Sequence, residues 1–334
     1  MAEQLRKSRQ ELQKNTVAGT LTGATTICLT QPLDTLRCRW QVASGQTLVS
    51  LARGIVADEG LWGGLWRPGF GPNVLGMAIA VGGRNGFYPT ARDAITWLTS
   101  ASASDASGPE VKKAGAGGMF AAGLVSGMAS YLLASPLLQA KTQLQAEAGR
   151  VGPDGLYATG AKAGRPPSYL GGAHALQTLA AEGAANGGGP LGSLRALWRG
   201  AGVIVGRGAV LSASQLMAYD RTKTGLKESG AMDDGKLLHL VASQAAAACC
   251  TTCSMPLDVV LTVYQSAHSL GGERRELYGS RGPLHCAGVM LRESGPLVFM
   301  RGWVPAFMRL SPTCTFSFFL YEQLRRLVGI GYLD

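Results

Sequence analysis

The stretch TQPLDTLRCRWQ, residues 30–41, returns twice along the chain, as ASPLLQAKTQLQ at 134–145 and SMPLDVVLTVYQ at 254–265. Pro32, Pro136 and Pro256 are each followed by leucine, and each has a glutamine nine residues later, at Gln41, Gln145 and Gln265. Thirteen and nine residues before each proline come small residues: Gly19 and Gly23, Gly123 and Gly127, Ser243 and Ala247. Four-residue spacing sets each pair on one helix face, where small side chains let a neighbouring backbone approach.

The register continues downstream. Each copy reaches an acid and then a base beside a glycine: Glu59 with WRPG, Glu182 with WRG, and Glu293 with MRG. Nineteen residues after Gly69, Gly200 and Gly302 stand Tyr88, Tyr219 and Tyr321, and four residues further Arg92, Lys223 and Arg325. A repeat of this length is read as architecture before any local motif. Each copy predicts a long helix broken near its proline, a loop with a short amphipathic helix, and a second long helix. About 27 residues at roughly 1.5 Å each reach about 40 Å, enough to cross a bilayer with tilt. Proline is tolerated in such a helix where neighbours satisfy the freed carbonyl.

The expectation is an all-α membrane protein with six transmembrane helices in three pseudo-symmetric repeats, at 1–100, 111–228 and 233–330. The spans are expected at 15–42, 69–97, 113–145, 200–227, 236–266 and 303–328. The segment near 100–110 is read as a connecting loop, and 147–170 as a Gly/Pro-rich insertion without visible chemistry.

Composition agrees with a membrane class. Hydrophobic residues make up 46% of the chain and charged residues 16%, below the roughly 25% of soluble domains. No window of eighteen residues is uninterruptedly apolar, as expected for helices that keep one polar face toward a watery path. The net charge of +10 suits nucleic acid, anionic lipid or an anionic substrate. No zinc finger, basic zipper or aromatic-basic strip accompanies it, so nucleic acid is not expected as a partner. The seven cysteines form no paired framework, and Cys249, Cys250 and Cys253 in their Ala-rich stretch read as small buried helix residues. The opening MAEQLRKSRQELQK lacks a secretory core, and Glu3 and Glu11 spoil a transit peptide, so targeting information is expected inside the chain.

With the proline in triplicate, its acid at Asp34 and Asp258 and its base at Arg37 and Lys141, the acid-Gly and aromatic-base-Gly elements, and an aromatic-acid pair at Tyr219 and Tyr321, the chain resembles the mitochondrial carrier family over nearly its whole length. MDDGKLLHLVAS, MPLDVVLT and RLSPTCTFSFFLYEQLRR are most similar to oxaloacetate/sulfate-type and dicarboxylate carriers. The resemblance implies a multi-pass transporter of the mitochondrial inner membrane that is not an enzyme and needs no cofactor or metal. Further implied are a central site open alternately to each side, monomeric action, and cardiolipin as a lipid partner.

The resemblance also implies two gates of inter-repeat salt bridges. On the matrix side it pairs Asp34 with Lys141 and Asp258 with Arg37. The third pair is replaced by Leu138 and Leu261. Losing both charges together is nearly neutral, whereas losing one would strand a buried ion. Gln41, Gln145 and Gln265 would brace these bridges or serve as plain buried contacts. The alternative for the charges is that they snorkel to headgroups. On the cytoplasmic side the pairs are Asp220 with Arg325 and Glu322 with Arg92, while Lys223 faces Pro89 where an acid would be expected.

Seven residues beyond the repeat glycines lie Gly76, Arg207 and Arg309, which by resemblance are the substrate contact points. An arginine near mid-bilayer costs about 2.5–3.5 kcal/mol and must face water or a partner. Two across one cavity suit a bidentately held anion. Arg84, Gln215 and Ser317 follow eight residues further, as added substrate contacts or as pairs between helices. Gly76 leaves no side chain for an adenine-sized ligand.

The glycine-rich GAGVIVGRG at 200–208 fails the dinucleotide spacing, and His174, His239, His268 and His285 show no metal spacing. The function expected is carriage of a small anion, namely oxaloacetate, another dicarboxylate or keto acid, or sulfate, by antiport or proton symport. The alternatives are carriage of another metabolite or of protons, and a non-transporting carrier-shaped adaptor.

Overall fold

The computed structural model describes residues 2–43, 47–101, 116–185, 189–230, 236–270, 272–279, 281–311 and 313. The first repeat has α1 (Ala2–Val42), α2 (Leu48–Glu59), a π-helical turn at Trp62–Trp66 and α3 (Phe70–Ala101). The second has α4 (Ala116–Ala146), α5 (Gly172–Gly183), α6 (Gly189–Leu197) and α7 (Ala201–Glu228). The third has α8 (Lys236–Leu270), α9 (Gly272–Gly279), α10 (Pro283–Ser294) and a 3-10 turn at Pro296–Met300. A further helix, α11, begins at 303 and is described to 311 and at 313, so the expected span 303–328 lies outside the described residues at 312 and from 314 onward.

The long helices pack in sequence, α1 on α3, α3 on α4, α4 on α7 and α7 on α8, while α1, α4 and α8 also meet one another. Polarity runs inside out. Gln31, Gln139, Gln143 and Gln145 are fully buried, whereas Leu29, Leu75, Leu133 and Met217 are exposed on the outside. Such an apolar exterior needs an apolar solvent. Among the described residues three stretches are long and apolar enough to cross a membrane by themselves, Phe120–Ala146, Gly189–Glu228 and Leu240–His268.

The small-residue faces behave differently from repeat to repeat. A Cβ on Gly19 would lie 3.1 Å from the Gly82 Cα, and one on Gly23 would lie 2.8 Å from the Met77 carbonyl oxygen, so α1 and α3 approach backbone to backbone. Gly123 has open space, and Gly127 meets nothing closer than the Arg84 side chain at 4.0 Å. Of the clustered cysteines Cys250 is buried as expected, but Cys249 and Cys253 are exposed.

The prolines do not break the helices, contrary to the expectation from sequence: α1, α4 and α8 run continuously through Pro32, Pro136 and Pro256. Proline lacks an N–H and leaves the carbonyl four residues earlier without its helical donor. In the first repeat that carbonyl belongs to Cys28, and the Trp66 indole N–H donates to it at 3.1 Å. In the second it belongs to Leu132, and Trp198 donates to it at 2.8 Å. In the third, Trp303 donates to the Thr252 hydroxyl at 3.0 Å, on the residue whose carbonyl Pro256 frees.

The 147–170 insertion is built rather than blank. Glu147 and Lys162 form a buried ion pair at 3.2 Å, and the Tyr169 N–H donates to Glu147 at 3.2 Å. Thr159 reaches Glu59 of the first repeat at 2.8 Å. Arg165 reaches the Leu270 carbonyl of the third at 3.1 Å. A segment of the second repeat therefore straps all three together.

In lipid no water replaces a lost donor, and an unsatisfied buried carbonyl costs about 1–3 kcal/mol. Trp198→Phe should therefore lower the melting temperature of the purified protein clearly. Trp97→Phe, on an exposed ring, should leave it almost unchanged.

Candidate functional site

The crossing of α1, α4 and α8 concentrates charge. Asp34 of α1 meets Lys141 of α4 at 2.5 Å. Asp258 of α8 meets Arg37 of α1 at 3.2 Å. Arg37 also lies 3.7 Å from Asp34 on its own helix. The even helices reach the same place: Arg207 of α7 pairs with Asp258, and Arg309 of α11 lies 3.8 Å from Asp34. Side-chain exposure is 4% for Asp34 and 6% for Asp258, against 16% for Arg207 and 15% for Arg309. The carboxylates are sealed in, while the two arginines keep a little access.

The cluster holds four cations and two carboxylates, an excess of two positive charges. Its donors are also underused. Among the described residues the Nε–H groups of Arg37 and Arg309 are buried without a hydrogen-bond partner, the latter 3.8 Å from Asp34, whereas the Arg207 Nε contacts Asp258 directly. Buried guanidinium donors that lack acceptors are set to receive an anion.

The two bases expected to pair with Asp34 and Asp258 are thus beside them, and the two arginines expected at the substrate site join the same cluster. Gly76 is buried in α3, and a Cβ there would touch Leu138 at 3.1 Å. Leu261 in turn packs over Gly200. The glutamines are held elsewhere than at the bridges. Gln41 donates to the Arg301 carbonyl at 3.3 Å, Gln265 to the Arg199 carbonyl at 3.2 Å, and Gln145 to the Thr35 hydroxyl at 3.0 Å. Each lies a helical turn beyond the basic position of its motif, at the height where an even helix of another repeat begins. There Gly69, Gly200 and Gly302 all adopt positive φ, which favours glycine. A Cβ would meet Gln145 at 3.3 Å, Gln265 at 3.5 Å and Gln41 at 3.0 Å respectively.

Arg84 is exposed beside Gly127 and is not brought to the cluster. Gln215 is half-buried on α7. At the opposite end Arg92 is solvated and bonds to its neighbour Asp93 at 3.1 Å, and Lys223 is half-buried. The Asp220 side chain, Ser317, Glu322 and Arg325 lie outside the described residues.

Sequence reading missed several partners. Asn73 donates to Asp34 at 3.3 Å and to Gln31 at 2.6 Å, and Gln31 donates to the Pro68 carbonyl at 2.9 Å. The repeat register offered a signal, because it aligns Asn73 with Ile204 and Ala306 and so marks it as the odd polar residue. The three downstream acids also find partners. Glu59 forms a bidentate pair with Arg39 at 2.6 and 2.7 Å, Glu182 pairs with His268, and Glu293 accepts from the Tyr278 hydroxyl. The residue equivalent to Arg39 is Gln143 in the second repeat, which leaves Glu182 to a histidine of the third. Arg199 lies against the other ring nitrogen of His268 at 3.2 Å. The His268 hydrogen bond, more than the charges of Arg275 and Arg199, holds the Glu182 carboxyl below its usual range.

A buried ion cluster ringed by three pseudo-symmetric helical repeats, with an apolar exterior, fits a membrane transporter. The comparisons name the class. A family model described as mitochondrial carrier protein matches residues 8–97 and 234–331, the first and third repeats. The unmatched second repeat is the one with Leu138, Gln143 and the insertion. The chain is 28% identical over 309 residues to the dicarboxylate carrier UCP2 of Danio rerio, across 89% of this chain and 86% of that one. It is also 28% identical over 316 residues to mitochondrial brown fat uncoupling protein 1 of Bos taurus, with the same coverage. The chain belongs to the mitochondrial carrier family. It is a multi-pass transporter of the mitochondrial inner membrane whose substrate is a small metabolite.

Two measurements follow from this geometry. Asp258→Asn strands Arg207 and leaves Arg37 only Asp34 at 3.7 Å, and should cost about 3–5 kcal/mol. Lys141→Leu should cost less, because Asp34 keeps Arg37 and Arg309 nearby; ranking the two melting temperatures tests this. A carboxyl with a lowered folded pKa gives stability that is complete above its usual value of 4.5 and is lost as the pH falls through the folded value. Glu182→Gln should therefore lower the melting temperature at neutral pH, and the gap should close in acid.

Proposed function

We propose that the protein carries a small dianion, a dicarboxylate such as oxaloacetate or malonate or a sulfate-like ion, by alternating access. The observation that carries this reading is the unbalanced cluster, whose two uncompensated positive charges equal the charge of such a substrate. Arg207 and Arg309 bind it. Each now leans on a gate acid, Asp258 or Asp34, so an anion bound between them competes with these acids for the cations of the whole cluster and weakens the Asp34–Lys141 and Asp258–Arg37 bridges. Binding and opening of the matrix gate then share one set of charges.

Leu138 and Leu261 form the uncharged third side of this layer. Gly76, covered by Leu138, leaves no room or side chain for a base. The opposite gate is formed by Asp220 with Arg325 and Glu322 with Arg92, with Lys223 beside them, and Arg84 and Gln215 extend the substrate path toward it. The name of the Danio rerio relative, a dicarboxylate carrier, supports the same substrate class.

Uptake of labelled malonate, oxaloacetate and sulfate into proteoliposomes tests the proposal. Arg207→Ala and Arg309→Ala should each reduce uptake at least tenfold. Uptake that survives Arg309→Ala unchanged overturns the site, and absence of uptake for all three ions by a folded wild-type protein overturns the substrate class.

A further inference from the structure

The end of the bundle that holds the loop helices has a cleft that the central cluster does not use. It encloses about 110 Å³ between the last turns of α1 and α8 and the elements that follow α8. Two guanidinium groups line it, Arg274 from α9 and Arg301 from the turn before α11, with Gln41, Ser294 and Tyr278. No carboxylate is among its described lining residues; Glu293 of α10 accepts the Tyr278 hydroxyl.

Each arginine is anchored to the first repeat. Arg274 donates to the Val42 carbonyl at 3.0 Å, and Arg301 lies over the Trp40 ring at 5.9 Å. Burial and the Arg274 charge together pull the Arg301 pKa below its usual range, as expected where two like charges face one space. Gln41 is 5% exposed. Its Nε2 is committed to the Arg301 carbonyl, while its Oε1 is buried with no hydrogen-bond partner. The cleft therefore presents two cationic donors and one unmatched neutral acceptor.

We propose that this cleft is a matrix-side binding site for a small soluble oxyanion that carries an O–H group, hydrogen phosphate being the simplest. Its bare oxygens accept from Arg274 and Arg301, and its O–H donates to Gln41 Oε1. Sulfate at neutral pH and a phosphodiester headgroup both lack that hydrogen and leave the Gln41 acceptor unmatched. An occupant ties the end of α1 to the third repeat on the far side of the Arg37–Asp258 bridge. Phosphate bound there holds this end shut and slows turnover.

The test uses the full-length protein in detergent and follows its melting temperature at constant ionic strength, since a ligand that binds the folded state raises it. Arg309→Ala, which disables the central dianion site, serves as the background. In it inorganic phosphate should give a saturable rise several-fold larger than sulfate, and adding Arg274→Gln or Arg301→Gln should abolish that rise. In the same background a rise as large with sulfate, one that survives both cleft substitutions, or no rise with phosphate overturns the proposal. So does a rise produced by anionic phosphodiester lipid and not by phosphate. If either cleft variant fails to melt cooperatively, the ranking of phosphate over sulfate in Arg309→Ala still decides.

Discussion

Two carboxylates buried where helices of different repeats cross set the terms for the rest of the molecule. An ionised acid inside a bilayer protein is tolerated only with cations beside it, and here the cations come from every repeat. Asp34 of the first repeat is held by Lys141 of the second and approached by Arg309 of the third. Asp258 of the third is held by Arg37 of the first and Arg207 of the second. The second repeat contributes bases and no acid, because Leu138 stands where its carboxylate would be. Closing the ring of repeats and neutralising the buried acids are therefore one event.

Around that core a quieter symmetry completes the seams. Gly69, Gly200 and Gly302 each start an even helix in a left-handed turn against a glutamine of the following repeat, with the third glycine returning to Gln41 of the first. A cyclic order of this kind needs no identical residues at the charged level. It explains how the bridge layer can lose one of three pairs while the seams remain closed.

The six helices and the two bridges were legible in the sequence because helical period and repeat register are local, additive signals. The partners of Arg207 and Arg309 were not, because equivalent positions reveal a shared height in the bundle and say nothing of which acid lies opposite. The unbroken course of α1 could not be read near Pro32, since it depends on Trp66, far along the chain. The Glu182–His268 pair escaped for a related reason. No motif joins those positions, and the histidine is the partner where the second repeat has Gln143 in place of the base that Arg39 supplies in the first. The 147–170 insertion looked inert because Gly and Pro advertise turns, while its work is done by Glu147, Lys162, Thr159 and Arg165 through contacts at long sequence separation.

The indole clamps over the prolines bear on how such a molecule can move. Each ties the middle of an odd helix to the chain just before or at the start of the even helix of the same repeat. The point that proline would otherwise soften into a hinge is thereby stiffened. A repeat fastened in this way behaves as a lever with little internal give, so shape change is channelled into sliding and tilting along the glycine–glutamine seams.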